Sequence, residues 1–116
     1  MLTNRKFIHT KIFDRLWSDM GCDDDDLSVL QKAISDNPQA APVIQGTGGV
    51  RKIRVALDGR GKSGGARVLY VDFTVHGVIG LLYAYTKNEK ENIDENEKKI
   101  MRRLVETFEE NLEGLK

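Results

Sequence analysis

At 116 residues, 40% hydrophobic and 31% charged, the chain is long enough to build one soluble domain with its own core, and residues 1–116 read as a single unit. One cysteine, Cys22, excludes an intramolecular disulfide, and no apolar run approaches the length of a membrane span or the apolar stretch of a signal peptide, so the expected compartment is the cytoplasm. The formal net charge is zero but unevenly spread: Arg51, Lys52, Arg54, Arg60, Lys62 and Arg67 face a single acid, Asp58, giving +5 over 17 residues and leaving −5 for the rest. Segregation of this kind points to a polyanion partner, most commonly one that presents phosphate.

Taken in order, Phe7–Phe13 is short, aromatic and β-branched, and predicts a strand near Lys6–His9 running into a helix through Leu16 and Trp17. Gly21–Asp26 breaks that element. The aspartate run Asp23–Asp26 suits a helix N-terminus, where the macrodipole favours negative charge. It lacks the spaced ligands and glycine turn of a calcium loop. Leu27, Leu30 and Ile34 then line one helical face, which Asn37-Pro38 ends. Gln39–Gly49, with Pro42 and three glycines, reads as a connecting loop.

From Val50 the period changes to two. Lys52 and Arg54 share a face with Val50 and Ala56, about 7 Å apart, while Arg51, Ile53 and Val55 take the other. Asp58–Gly65 is a glycine-rich hairpin loop, Ala66–Val75 a long strand, His76-Gly77 a turn, and Val78–Tyr85 a strand apolar enough to be central. Asp94 with Glu97 reads as a capping box opening the last helix. Its residues Ile100, Met101, Leu104, Val105, Phe108 and Leu112 form a stripe that should lie on the sheet. The expected fold is therefore α+β: a short N-terminal strand and two helices, a three-stranded antiparallel meander, and a C-terminal helix packed on the sheet.

Several familiar chemistries are excluded. GRGKSGG looks like the end of a phosphate-binding P-loop, but the motif's first glycine would fall on Ala56 and no helix follows. There is no CxxC, HExxH or paired-histidine spacing, so neither metal nor cofactor is expected. His9 and His76 sit in no recognisable nucleophile setting. What remains is a basic cluster with nearby tyrosines.

Three segments, GTGGVRKIRVA, GRGKSGGARVLY and YAYTKNEKENI, resemble the RelE/ParE toxin superfamily and most closely its HigB branch, over about Leu30 to Leu112. The resemblance implies a RelE-like fold and the toxin of a bacterial type II toxin–antitoxin pair. It further implies a ribosome-dependent mRNA endonuclease, an mRNA interferase that inhibits translation and is neutralised by a cognate helix-turn-helix antitoxin. Its partners would be the ribosome and mRNA, with operator DNA reached only through the antitoxin and no membrane involved.

The RelE K-I-K strand motif falls on Lys52, Ile53 and Arg54. Its Y-R-L-V-Y falls on Ala66–Tyr70, placing the phosphate-binding arginine on Arg67. Two positions depart: the arginine after the final strand meets Asn88, with Lys87 next door, and the late tyrosine meets Asp94. The catalytic set implied is Lys52, Arg54, Arg67 and Lys87, with Arg51, Arg60, Lys62, Asn88 and Lys90 as RNA contacts. In this chemistry the 2′-OH attacks the adjacent phosphorus, which requires a base, an acid and positive charge for the developing dianion.

Two other readings compete. A ParE-like toxin would poison gyrase without a nuclease site, and retention of Lys52, Arg54 and Arg67 argues against it. A non-catalytic RNA-binding module would stack bases on Tyr70, Phe73, Tyr83 and Tyr85. Those side chains are expected under the last helix instead, because their strands are too apolar to face water.

Overall fold

Local chemistry sets the helix ends in the computed structural model, which describes residues 5–56 and 65–113. Strand β1 (Lys6–His9) passes into helix α1 (Lys11–Asp19) through Thr10. The Thr10 hydroxyl accepts from the Phe13 N–H at 2.9 Å and donates to the Leu82 carbonyl at 2.8 Å. One side chain thus caps the helix and fastens it to the sheet. Helix α2 (Asp24–Asp36) explains the aspartate run. Asp23 accepts from the Asp26 N–H at 3.0 Å, and Asp26 accepts from the Asp23 N–H at 2.9 Å, a reciprocal box with Asp24 and Asp25 in the favourable first turn.

Strands β2 (Arg51–Val55), β3 (Ala66–Phe73) and β4 (Val78–Thr86) form the expected antiparallel meander. Strand β3 ends at Phe73, two residues before the predicted boundary. Thr74–His76 turns as a short 3-10 helix, and Gly77 at φ 65° supplies the left-handed residue that returns the chain. β1 pairs in parallel with β4, giving the order β1-β4-β3-β2 and making β4 an interior strand. Arg5 holds this end in place through two bonds to the Asp72 carboxylate on β3, at 2.7 and 3.3 Å.

The sheet has a core on each face. Helices α1 and α2 cover one, where Phe13, Trp17, Leu30, Ile34, Val68, Tyr70, Ile79 and Leu81 meet. Helix α3 (Glu95–Glu113) covers the other, placing Met101, Val105 and Leu112 on Val50, Leu69, Val71, Phe73 and Leu82. Its capping box is as predicted, with Asp94 and Glu97 exchanging bonds of 2.8 and 2.9 Å. Phe73 stacks on Phe108 with centroids 5.7 Å apart. Gly80 makes room for them: a Cβ there would lie 3.0 Å from the Phe73 ring and 3.5 Å from Phe108. Ile100, expected in the buried stripe, is instead 55% exposed, because the stripe narrows to the positions aimed at the sheet.

Tyr70 also departs from expectation. As an even-numbered residue of β3 it shares a face with Val68 and packs under α1 and α2, not α3. Its buried hydroxyl donates to the Pro38 carbonyl at 2.8 Å, fixing the turn after α2. Tyr70→Phe should therefore cost about 1 to 2 kcal/mol in urea unfolding at neutral pH, since it leaves a buried carbonyl unsatisfied. Burial also raises the Tyr70 phenol above its ordinary value. A folded-state value above the unfolded one gives a contribution that is complete below about pH 10 and lost as pH rises further. The Phe variant should show a shallower fall in stability above pH 10, and an identical alkaline profile would contradict the assignment.

Candidate active site

The register of the meander assembles the basic side chains. Arg54 lies opposite Arg67, and Arg67 lies opposite Tyr85, so the three form one row across β2, β3 and β4 on the α3 side. Lys52, Leu69 and Tyr83 form the next row. Tyr83 and Tyr85 reach this face through an irregularity between Leu69 and Tyr70 of β3, where the pairing skips Leu82 of β4. Before the skip, odd residues of β4 such as Ile79 and Leu81 face α1. After it, Tyr83 and Tyr85 face α3. A bulge that re-aims side chains in this way is a recurrent device beside functional sites.

Two arginines directly opposed across a strand pair repel each other, and Arg67 has a side chain only 6% exposed. An anion between them resolves both problems, and Glu91 provides it. Its Oε1 accepts from Arg54 Nη2 at 2.7 Å and its Oε2 from Arg67 Nη2 at 3.0 Å. Lys52 Nζ stands 4.0 Å from the same Oε1. The two arginines, Arg54 first, hold the Glu91 carboxyl below its usual range. Glu91 is fixed from behind as well. Lys52 Nζ and the Tyr85 hydroxyl donate to its backbone carbonyl at 3.3 and 3.1 Å, and Lys52 also reaches Asn92 Oδ1 at 2.8 Å. Burial, then the Glu91 charge, pushes the Tyr85 phenol upward.

The segment carrying Glu91 folds back because Thr86 nucleates a turn. Its carbonyl accepts from the Glu89 N–H at 3.1 Å, and its hydroxyl bonds the Glu89 carboxylate at 3.1 Å. Buried Ile93 then anchors the approach to α3. The other end of the site closes at Gly65, with φ 69°, whose carbonyl accepts from the Lys87 N–H at 3.3 Å.

Of the residues singled out in the sequence, Lys52, Arg54 and Arg67 converge. Lys87 and Asn88 stand exposed on the turn after β4. Lys90 lies 5.8 Å from the Tyr85 ring centroid and is ion-paired with Glu97, a hydrogen bond that raises its pKa. Arg51 projects to the opposite face, where Nη1 donates to the Gln39 and Ala41 carbonyls at 2.8 and 2.7 Å. Arg60 and Lys62 lie outside the described residues. Glu91, Asn92 and Tyr85 all lie in the segment YAYTKNEKENI and join the site, although the resemblance gives none of them a part in it. The signal that points to Glu91 is the like-charge pair Arg54 and Arg67, which calls for a counterion.

Both histidines are remote from the cluster. His9, bonded to Asp14 at 2.9 Å, lies on β1 at the far edge of the sheet, and His76 lies at the opposite end of β3 from Arg67. Among the described residues no three His, Cys, Asp or Glu side chains come together as metal ligands, and no helix is long and apolar enough to cross a membrane.

A mixed four-stranded sheet between a helix pair and a C-terminal helix is the α+β architecture that the protein shares with RelE. The solved structure of a double mutant of the E. coli toxin RelE in the free state matches with a TM-score of 0.50 at 14% identity, covering 78% of this chain and 88% of that one. At that identity the likeness is one of fold. The sequence profile of the RelE toxin of the RelE/RelB toxin–antitoxin system matches residues 5–114, and the chain belongs to the RelE toxin family. A toxin of such a system implies an antitoxin as its partner.

Proposed function

We propose that the protein is a ribosome-dependent mRNA endonuclease, neutralised in the cytoplasm by a helix-turn-helix antitoxin through which alone it reaches operator DNA. The observation that supports this best is the Arg54–Glu91–Arg67 bridge with Lys52 beside it. Two guanidiniums and an ammonium converge on one small oxyanion, the arrangement a scissile phosphate requires.

In the reaction the 2′-oxygen bonds to phosphorus, the bond from phosphorus to the 5′-oxygen breaks, and a 2′,3′-cyclic phosphate and a 5′-OH result. The proton leaving the 2′-OH goes to a base, and an acid supplies one to the departing 5′-oxygen. Arg67, recessed in the sheet, and Arg54, at the rim, would hold the non-bridging oxygens and neutralise the charge that grows on them. Lys52 would add to that field, and Lys87 would serve as the acid at the leaving group. Arg51, Arg60, Lys62, Asn88 and Lys90 are proposed RNA contacts, with Arg51 the least available because two carbonyls hold it. A cleft of about 470 Å³ between the end of α2 and the β2 edge, lined by Asn37, Ala40, Pro42, Lys52 and Arg54, offers room for the strand beside the basic row.

With no histidine in this set, proton transfer is poorly served, and orientation by the ribosome must supply much of the rate. The reading is tested by mapping 5′-OH ends on mRNA offered free and on programmed ribosomes.

A further inference from the structure

We propose that Glu91 is an internal phosphate surrogate, a carboxylate seated where the RNA phosphodiester binds, which must swing out before substrate can enter. The inference rests on the reading of the basic cluster as the phosphate site, and adds to it a self-competing ligand. Geometry carries it. The Glu91 carboxylate spans the pair that would clamp a phosphate, one oxygen to each arginine at 2.7 and 3.0 Å, with Lys52 Nζ 4.0 Å from the first oxygen. A carboxylate and a phosphodiester each carry one negative charge and offer two oxygens for bidentate contact, so the exchange conserves the charge of the site.

The way Glu91 is held also separates its two ends. The backbone carbonyl is fixed by Lys52 and Tyr85, and neighbouring Asn92 by Lys52, so the connection between β4 and α3 is pinned in place. Among the described residues the carboxylate meets only cations of the proposed site, and its side chain is 44% exposed. A rotation about the Glu91 side-chain bonds therefore opens the site without moving the segment. With its phosphate site filled from within, the free toxin holds a counterion between the facing charges of Arg54 and Arg67. A phosphodiester alone gains little by displacing the carboxylate. A message held in one geometry gains more, because its other contacts are made at the same time.

The test compares the parent protein with Glu91→Gln, which keeps the shape and removes the charge. In phosphate-free buffer at low ionic strength, the Gln variant should melt at a lower temperature than the parent. Inorganic phosphate should restore it, with half-saturation at a concentration about tenfold below that for the parent, because the competing anion is gone. A short single-stranded RNA should show the same ordering in direct titration. Adding Arg54→Ala, at an exposed position, should weaken binding in both backgrounds. Equal affinities in parent and Gln variant, both weakened by Arg54→Ala, would overturn the surrogate role and leave the phosphate site standing. Failure of either protein to bind phosphate or RNA would overturn both.

Discussion

Arg67→Ala should abolish RNA cleavage while the protein remains folded. Arg67 sits inside β3 between Arg54 and Tyr85, and its Nη2 donates to the anion at the centre of the site. A preorganised donor aimed at developing charge in a recessed site contributes roughly two to three orders of magnitude in rate. Arg67 is a charged donor at the most buried position of the cluster, so the loss should be at least that large. Truncation also leaves a gap in the α3 face of the sheet, which makes Arg67→Met the companion variant. Methionine occupies comparable space and brings no charge, and the Glu91 carboxylate left behind is partly exposed and keeps Arg54 as its partner, so no buried charge is stranded. Both variants should retain native circular dichroism, and both should lose cleavage. Near-parental cleavage by folded Arg67→Met would remove Arg67 from the active set.

Gly65→Ala should be among the most damaging substitutions that add a single methyl group. Gly65 has φ 69°, which already costs an alanine about 1 kcal/mol. The greater cost is steric. A Cβ would stand 2.1 Å from the Val55 carbonyl oxygen and 3.2 Å from the Ala56 Cα, both rigid backbone atoms across the hairpin. The hairpin must open at its end, disturbing the Val55–Ala66 pair and the Arg54–Arg67 pair next to it. The expected loss is about 3 kcal/mol or more in urea unfolding, with cleavage falling in the residual folded fraction. Gly49→Ala is the control. It also has a positive φ, 112°, but nothing lies within 4 Å of its added Cβ, so only the backbone penalty applies. Equal losses at the two glycines would mean that the close approach at Gly65 is not a constraint.

The elements easiest to read from sequence are those whose signals are local. The Asp23–Asp26 and Asp94–Glu97 boxes announce helix starts through side chains three residues apart, and both are formed. Alternation through Arg51–Val55 correctly places Lys52 and Arg54 together on one face. What escapes depends on partners distant in sequence. The parallel pairing of β1 with β4 has no local signature. The skipped residue Leu82 reverses the alternation of β4 and brings Tyr85 to the basic row, and the composition of the strand gives no sign of it. The expectation for Tyr70 fails because it groups four strand aromatics under α3, although Tyr70 and Phe73 differ in parity and so point to opposite faces. Glu91 looks like one charge among many in KNEKEN. Only the register, by setting Arg54 against Arg67, gives it a purpose.

In the proposed function the site cleaves RNA only when the ribosome presents it. The cluster supplies positive charge through Lys52, Arg54 and Arg67, and the fold keeps both histidines away from it. A well-placed acid–base pair such as two histidines contributes about two to four orders of magnitude in rate, and among the described residues no histidine stands beside the cluster. Fixing the message in a near-attack geometry can restore a gain of that size. The most direct measurement incubates the purified protein with a defined mRNA, free in one tube and bound to programmed ribosomes in another, and maps new 5′-OH ends over time. Cleavage should be confined to the ribosome-bound message, about a hundredfold or more faster than on free RNA, and absent with Arg67→Met. Comparable rates in the two tubes would contradict ribosome dependence, and intact message in both would contradict the nuclease assignment itself.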